Sequence, residues 1–511
     1  MMEFPERFNM ADYFLDHNLR EGRAGKIAVY YKNSTYTYAQ VQEMSHRAAN
    51  VLRELGVEME DRVLIALPDS IEFVVTWFAV LKLGAVITMV NTILPPADYD
   101  YYLNYTRAKV AVVHESIVPR FEQVNSPHLN AMLVVGKDTV KDPSFDRMLA
   151  HSSAQFKNAD THRDDVAAWL FTSGTTGKPK GAVHFHHDFP FNTENYAKQV
   201  LGINQSDITL SVPKLFFGYA TGTNLMFPFA AGASTALFEE RSTPETMFEM
   251  VRRYRPTILT TVPTMINAML DCDAEKRADL SCLRMALSAG EALPPELYYR
   301  WKNAFGVEIL DGIGSAELFH IYISNRMGDV KPGSLGKLVP GYETKIIGPD
   351  GQEMPRGEIG TLWVKGDSAA VYYWQAHEKS KEVLRGDWVV SGDLFRQDEE
   401  GYFWYAGRAD DMLKVGGVFV SPLEIENCLL QHEAVLEVCV VGHPDEDGLI
   451  KPKAFVVLQG RYEACEKTAQ ELKEFVKTRL APFKYPRLVS FMDELPKNDR
   501  GKIERKKLRE M

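Results

Sequence analysis

The stretch Val166-Ala-Ala-Trp-Leu-Phe-Thr-Ser-Gly-Thr-Thr-Gly-Lys-Pro-Lys-Gly181 decides how the chain is read. Residues 166–171 are apolar and predict a buried strand. Residues 172–181 follow without a break and carry three glycines, four hydroxyl side chains and two lysines. Glycines let the backbone turn tightly with several N–H groups pointing inward, and the hydroxyls and ammonium groups add donors and positive charge. That set suits a polyphosphate. Thr172, Ser173, Gly174, Thr175, Thr176, Gly177, Lys178 and Lys180 are therefore the candidate phosphate ligands. The spacing is not that of a Walker loop, because Gly174 and Gly177 are too close together and Pro179 follows Lys178. A P-loop ATPase or GTPase is thereby disfavoured.

Outward from this strand, apolar β-branched runs at residues 62–67, 110–114, 132–136 and 257–262 alternate with amphipathic stretches. Such alternation predicts parallel sheets covered by helices. From about Gly333 the texture changes to short strands and turns, with Pro349-Asp350-Gly351 and Glu399-Glu400-Gly401 as turns. Beyond the polar joint Gly407-Arg408-Ala409-Asp410-Asp411, helical and strand patterns predict a compact α+β unit. Its elements are a helix from Pro422, strands at 435–441 and 454–458, and a helix at 469–480. The expected fold class is α/β: a large N-terminal lobe of helix-covered sheets with a small β-barrel-like part (residues 1–409), and a small mobile α+β C-terminal domain (residues 410–511).

With 511 residues the chain is too long for a single core, and its net charge of −11 offers no basic footprint for nucleic acid. The five cysteines are scattered, without CxxC or Cys/His metal spacing, which predicts reduced thiols and a cytoplasmic protein. The beginning MMEFPERF has acids early and no apolar core, so no signal peptide is expected. Residues 73–90 are strongly apolar, but Lys82 and Gly84 interrupt them; a helix followed by a buried strand is expected there, not a membrane span. His184, His186 and His187 cluster, yet strand alternation puts only His184 and His186 on one face and no third metal ligand is evident.

Four further segments share the character of the glycine-rich loop. Ser288-Ala-Gly-Glu-Ala292 and Asp311-Gly-Ile-Gly-Ser-Ala-Glu317 follow strand-like residues, and their close-spaced glycines predict turns where backbone can approach a flat base or a phosphate. Ser391-Gly-Asp393 and Arg408 flank a predicted hairpin; a carboxylate suits ribose hydroxyls and a guanidinium suits phosphate. Pro496-Lys-Asn-Asp-Arg-Gly-Lys502 lies in a charged tail.

In this order, the loop and the four segments resemble the adenylate-forming superfamily, which includes acyl-CoA synthetases. The resemblance implies ATP, Mg2+ and coenzyme A as co-substrates and cofactor, with an acyl-adenylate as the intermediate. It implies an adenine pocket lined by Gly290, Glu291, Ala292, Asp311, Gly312, Ile313, Gly314 and Ser315, with Glu317 holding Mg2+ on ATP. It assigns Asp393 to the ribose, Arg408 to the nucleotide, Asp410 to a hinge, and Lys414, Gly416 and Gly417 to the channel for the pantetheine arm. Lys502 is implied as the catalytic cation that meets the substrate carboxylate and the α-phosphate, and as a residue that a lysine acetyltransferase and deacetylase would switch. Ile313 and Ala316 depart from the pattern, where the family commonly has an aromatic residue and a threonine.

The acid is read from Lys214-Leu-Phe-Phe-Gly-Tyr219 and from Glu317-Leu-Phe-His-Ile-Tyr-Ile-Ser-Asn325, which offer aromatic walls together with Tyr219 and His320. With VLGI at 200–203 and VPGYE at 339–343, these segments resemble the benzoate-CoA ligase branch over nearly the whole chain. That resemblance implies an acid pocket of Phe217, Gly218, Tyr219, Ala289, Gly314, His320 and Ile321, and a small aryl acid. A small alicyclic or branched aliphatic acid, or an enzyme that loads a carrier protein, stays open as an alternative, as does a monomer or a homodimer. No partner nucleic acid or membrane is expected.

Overall fold

The computed structural model describes residues 3–136, 144–172, 178–273, 277–408, 411–415, 418–444, 450–481, 484–497 and 503–511. Its first sheet has six strands in the order Ala131–Val135, Val110–His114, Arg62–Ala66, Val86–Met89, Val166–Thr172, Lys180–Phe185. The first five are parallel and only the last runs antiparallel. Near-continuous apolar runs such as Val110–His114 are what a strand covered on both faces requires.

The apolar stretch at 73–90 divides as expected into a helix and a strand. Ser70 caps the helix Ile71–Lys82, its hydroxyl accepting from the Phe73 amide, and Gly84 at φ +70° turns the chain into Val86–Met89. Lys82 does more than interrupt hydrophobicity. It is fully buried, and its ammonium donates to both oxygens of Asp16 at 2.7 Å and to Asn158 Oδ1 at 3.2 Å. Asp16 also accepts from Gln42 and Asn158, so the buried ion pair is saturated with hydrogen bonds.

The second sheet has nine strands. Its parallel centre runs Ile309–Gly314, Met285–Ser288, Ile258–Thr261, Ile208–Ser211, Ser234–Leu237, Ile27–Tyr31, with antiparallel strands at both edges. Strands Ile208–Ser211, Met285–Ser288 and Ile309–Gly314 therefore end on the same edge, where open α/β sheets bind ligands. A five-stranded antiparallel sheet follows, built from Glu343–Ile347, Gly360–Lys365, Leu384–Arg385, Trp388–Gln397 and Phe403–Arg408.

The C-terminal domain packs the helices Pro422–Leu429 and Glu466–Lys477 on a three-stranded sheet with its own apolar core. Its strands Val435–Pro444 and Ile450–Leu458 are longer than the sequence pattern indicates, because ladder pairing continues to Pro444 opposite Ile450. The helix begins before 469 and ends before 480, since its buried stripe of Ala469, Leu472 and Val476 stops there. The Ser421 hydroxyl donates to the Ala406 carbonyl at 2.6 Å across the joint. Residues 409 and 410 lie outside the described residues. No helix among the described residues is long and apolar enough to cross a membrane.

Replacing Lys82 with Met leaves the Asp16 carboxylate buried without its cation. Denaturant unfolding of Lys82→Met should show a loss of about 3–5 kcal/mol; an unchanged midpoint would contradict a stabilising role for the pair.

Candidate active site

The strand Val166–Thr172 and its antiparallel partner Lys180–Phe185 hold the two ends of the glycine-rich loop together, with Thr172 opposite Lys180. Ser173, Gly174, Thr175, Thr176 and Gly177 lie outside the described residues. The exit of the loop is braced by aromatic residues that the sequence pattern does not single out. Tyr101 donates to the Pro179 carbonyl at 2.6 Å, and Lys178 Nζ stands 4.7 Å from the centre of the Tyr101 ring. Tyr105 accepts from the Gly181 amide at 3.2 Å and donates to the Trp374 carbonyl at 2.6 Å.

Residues 311–314 do not form a turn. They are the end of the strand Ile309–Gly314, which forms a hairpin with Ile321–Ser324. Its glycines serve close backbone packing: a Cβ at Gly312 would lie 2.7 Å from the Ile323 carbonyl oxygen, and one at Gly314 would lie 2.5 Å from that of His320. Gly290, by contrast, has φ +89° and does turn the chain after the strand Met285–Ser288. Beside it, Glu291 is engaged in accepting from the Thr264 hydroxyl at 2.7 Å, and Ala292 is half-buried. The Asp311 side chain is buried, and burial pushes its carboxyl up to about 8. Its Oδ1 has no hydrogen-bond partner among the described residues.

Between the hairpin strands, Ser315 precedes the short turn Ala316–Leu318 that carries Glu317. Three bonds pin this turn. His184 Nε2 meets the Ala316 carbonyl at 2.7 Å, the Ala370 amide donates to the Glu317 carbonyl at 2.7 Å, and Ser368 donates to the Leu318 carbonyl at 2.9 Å. His184 also pairs with Asp188 at 2.8 Å, whereas His186 Nδ1 accepts from the Met10 amide, so the two histidines go to different partners. The Glu317 carboxylate accepts a hydrogen bond from the Tyr373 hydroxyl at Oε1, while Oε2 has no hydrogen-bond partner among the described residues. A carboxylate with one free oxygen, half-buried at the strand ends, is a donor that Mg2+ accepts.

The residues expected to line the acid pocket come from three segments, around Tyr219, His320 and Ala289. Asp69, at the end of the first sheet's Arg62–Ala66 strand, accepts from the Leu215 amide at 2.7 Å and so anchors the segment before Phe217, Gly218 and Tyr219. His320, buried, donates from Nε2 to the Tyr219 carbonyl at 3.0 Å, and the two rings lie 5.4 Å apart. That bond leaves the proton on Nε2, and burial pushes the His320 pKa down to about 4, so the imidazole is neutral. A Cβ at Gly218 would lie 3.3 Å from Leu170 Cδ1, so Leu170 fills part of the space beside this glycine. Ile321 is buried opposite Gly314, and Ala289 is buried just beyond the Ser288–Asp311 pair.

Gly222, which sequence reasoning passed over, decides the place of His320. A Cβ there would lie 2.4 Å from His320 Cδ2, and the ring has no room to retreat because Tyr196, Tyr219 and Phe227 surround it at 5.7, 5.4 and 4.7 Å. The only sequence signal was a second glycine one helical turn after Gly218.

Asp393 and Arg408 do not flank the hairpin; they lie within it as direct cross-strand partners, with Arg408 Nε 3.4 Å from Asp393 Oδ1. Gly392 makes room for the guanidinium, since a Cβ there would lie 2.6 Å from Arg408 Nη2. Tyr322 is buried near both carboxylates: burial, then the charges of Asp393 and Glu317, raise its pKa. Asp410, Gly416, Gly417 and Lys502 lie outside the described residues, as does the side chain of Lys414.

Comparison with known proteins places the chain in a family. The family model described as AMP-binding enzyme matches residues 15–374, and that of the AMP-binding enzyme C-terminal domain matches residues 424–502. The chain belongs to the AMP-binding enzyme family. It is 46% identical, over 99% of its length and 97% of the relative's, to a benzoate–CoA ligase of Thauera aromatica. Among solved structures, an anthranilate CoA ligase in complex with anthranoyl-AMP superposes with a TM-score of 0.95 at 40% identity, covering 100% of this chain and 98% of that one. A benzoate CoA ligase from Burkholderia xenovorans LB400 gives 0.91 at 42% identity, covering 98% of this chain and 100% of that one. This AMP-binding enzyme is an AMP-forming acid–CoA ligase that uses ATP, Mg2+ and CoA.

In this ligase, Gly222→Ala should displace His320 and raise the KM for the acid by about tenfold or more while leaving the KM for ATP within about twofold. Steady-state kinetics with each substrate varied in turn would check this, and an equal loss for both substrates would point to general misfolding.

Proposed function

We propose that the chain activates a small aryl carboxylic acid, benzoate or a ring-substituted benzoate, and transfers it to CoA. The observation that carries this reading is the contact of His320 with Tyr219, which places a neutral imidazole and a phenol ring against each other at a buried site beside Gly314. Its support is the high identity to the benzoate–CoA ligase across the whole chain. In the first half-reaction the carboxylate oxygen attacks the α-phosphorus of ATP, the bond to the β-phosphate breaks, and pyrophosphate leaves. In the second, the CoA thiol attacks the carbonyl carbon and AMP leaves as the displaced group. A carboxylate oxygen is a poor leaving group, and the mixed anhydride with AMP supplies a better one.

The residues divide between these steps. The loop from Thr172 to Lys180 would hold the β- and γ-phosphates, and residues 289–292 and 311–315 would border the adenine and the carboxylate. Glu317 would hold Mg2+ on ATP, which offsets phosphate charge when bound. Asp393 would take the ribose and Arg408 the nucleotide. Lys502 would offset the repulsion between the carboxylate and the α-phosphate. The chain then divides into lobes at 1–409 and 410–511, with Asp410 as the hinge; turning the smaller lobe exchanges Lys502 for the channel at Lys414, Gly416 and Gly417.

A pyrophosphate-release screen over aromatic, alicyclic and short-chain acids should show turnover highest for benzoate-sized aryl acids, with thioester product only when CoA is added. Highest turnover on an aliphatic acid would overturn the aryl assignment. Lys502→Ala should abolish adenylate formation yet retain most thioester formation from supplied aroyl-AMP; equal loss of both steps would refute the two-orientation scheme.

A further inference from the structure

Glu317 has a long, flexible side chain, and a carboxylate that must meet a metal ion is more effective when its rotamer is already held. The turn beneath it is fixed by backbone bonds, as described above, but those bonds do not orient the carboxylate. Its one side-chain partner among the described residues is the Tyr373 hydroxyl, 2.6 Å from Oε1. A phenol donates a single proton, so it engages one oxygen and leaves the other. Tyr373 is itself buried, and its hydroxyl is the donor in this bond.

Tyr373 also has a second attachment. The segment 371–374 lies along the strand Lys180–Phe185, which leaves the phosphate loop. The Val371 amide donates to the Val183 carbonyl at 2.9 Å, the Val183 amide to Tyr372 at 3.0 Å, and the Trp374 amide to the Gly181 carbonyl at 2.9 Å. The residue whose hydroxyl holds Glu317 is thus bonded, through its own backbone neighbours, to the exit of the loop that faces the phosphates. A metal ion bound with ATP would have to satisfy the loop and the carboxylate together, and Tyr373 lies between the two.

We propose that Tyr373 is a positioning residue for the metal site: it holds Glu317 through Oε1, leaves Oε2 for the Mg2+ carried by ATP, and registers that carboxylate against the phosphate loop. The proposal rests on the reading of Glu317 as the carboxylate that meets Mg2+.

The test is calorimetric binding of the non-hydrolysable analogue AMP-PNP to the full chain, with saturating Mg2+ and separately with EDTA. The variants are Tyr373→Phe, Glu317→Gln and the two combined. Tyr373→Phe keeps the ring and its packing, and the titration in EDTA reports whether the nucleotide site is intact. The expected result is an approximately tenfold weaker binding of the Mg2+ form by Tyr373→Phe with metal-free binding within about twofold of the parent. Glu317→Gln should lose most of the gain that Mg2+ brings, and adding Tyr373→Phe to it should cost nothing further. If Glu317→Gln loses that gain but Tyr373→Phe keeps it, the positioning role is refuted and the reading of Glu317 stands. If Glu317→Gln keeps the full gain, the reading of Glu317 itself fails. Equal weakening of the Mg2+ and metal-free forms by Tyr373→Phe would mean that Tyr373 only supports the fold, and would also overturn the proposal.

Discussion

The backbone of Gly314 approaches the carbonyl of His320 so closely that a Cβ would lie 2.5 Å from that oxygen. This contact closes the hairpin between Ile309–Gly314 and Ile321–Ser324, and the chain between those strands is only the turn around Ala316–Leu318. In the proposed reaction that short span would present backbone to the nucleotide, Glu317 to the metal and His320 to the acid. Joining a carboxylate to an α-phosphate needs both reactants held within bonding reach, and effective molarity falls steeply when either shifts. One tight hairpin meets that need better than residues gathered from separate loops, because its two strands are fixed by the same ladder. A side chain at position 314 would separate the strands and with them the two half-sites.

Around that hairpin the site is held by groups whose polarity is satisfied inside the protein. His320 is neutral because burial penalises its charge, and its Nε2–H donates to the Tyr219 carbonyl. Burial likewise favours the protonated form of Asp311 below about pH 8. Only one fully buried ammonium is kept in the large lobe's core among the described residues, Lys82, and it is kept with Asp16 beside it. The pattern follows from the cost of unpaired buried charge. In the proposed function, positive charge toward the phosphates would come from Lys178, Lys180 and Arg408.

The chain's local chemistry made much of this legible in advance. Residues 166–181 alone imply a strand feeding a phosphate cradle, and the alternation of apolar runs implies the parallel sheets. The split of residues 73–90 into helix and strand was readable from Lys82 and Gly84, since a charge and a glycine cannot be spaced at will in a membrane span. What local pattern could not show is who faces whom. The glycines at 312 and 314 looked like turn residues because spacing does not reveal a neighbouring strand. Asp393 and Arg408 are fifteen residues apart in the chain yet opposite each other in the ladder, a matter of register alone.

By itself, then, the sequence determined the parallel sheets and the family, because those depend on residue type at short spacing. The tertiary structure alone decided that Gly222 seats His320, that Asp69 anchors the acid segment, and that Tyr373 ties Glu317 to the exit of the phosphate loop. Each of these joins residues far apart in the chain, and a contact of that kind is set by how sheets and hairpins pack, which no local pattern encodes.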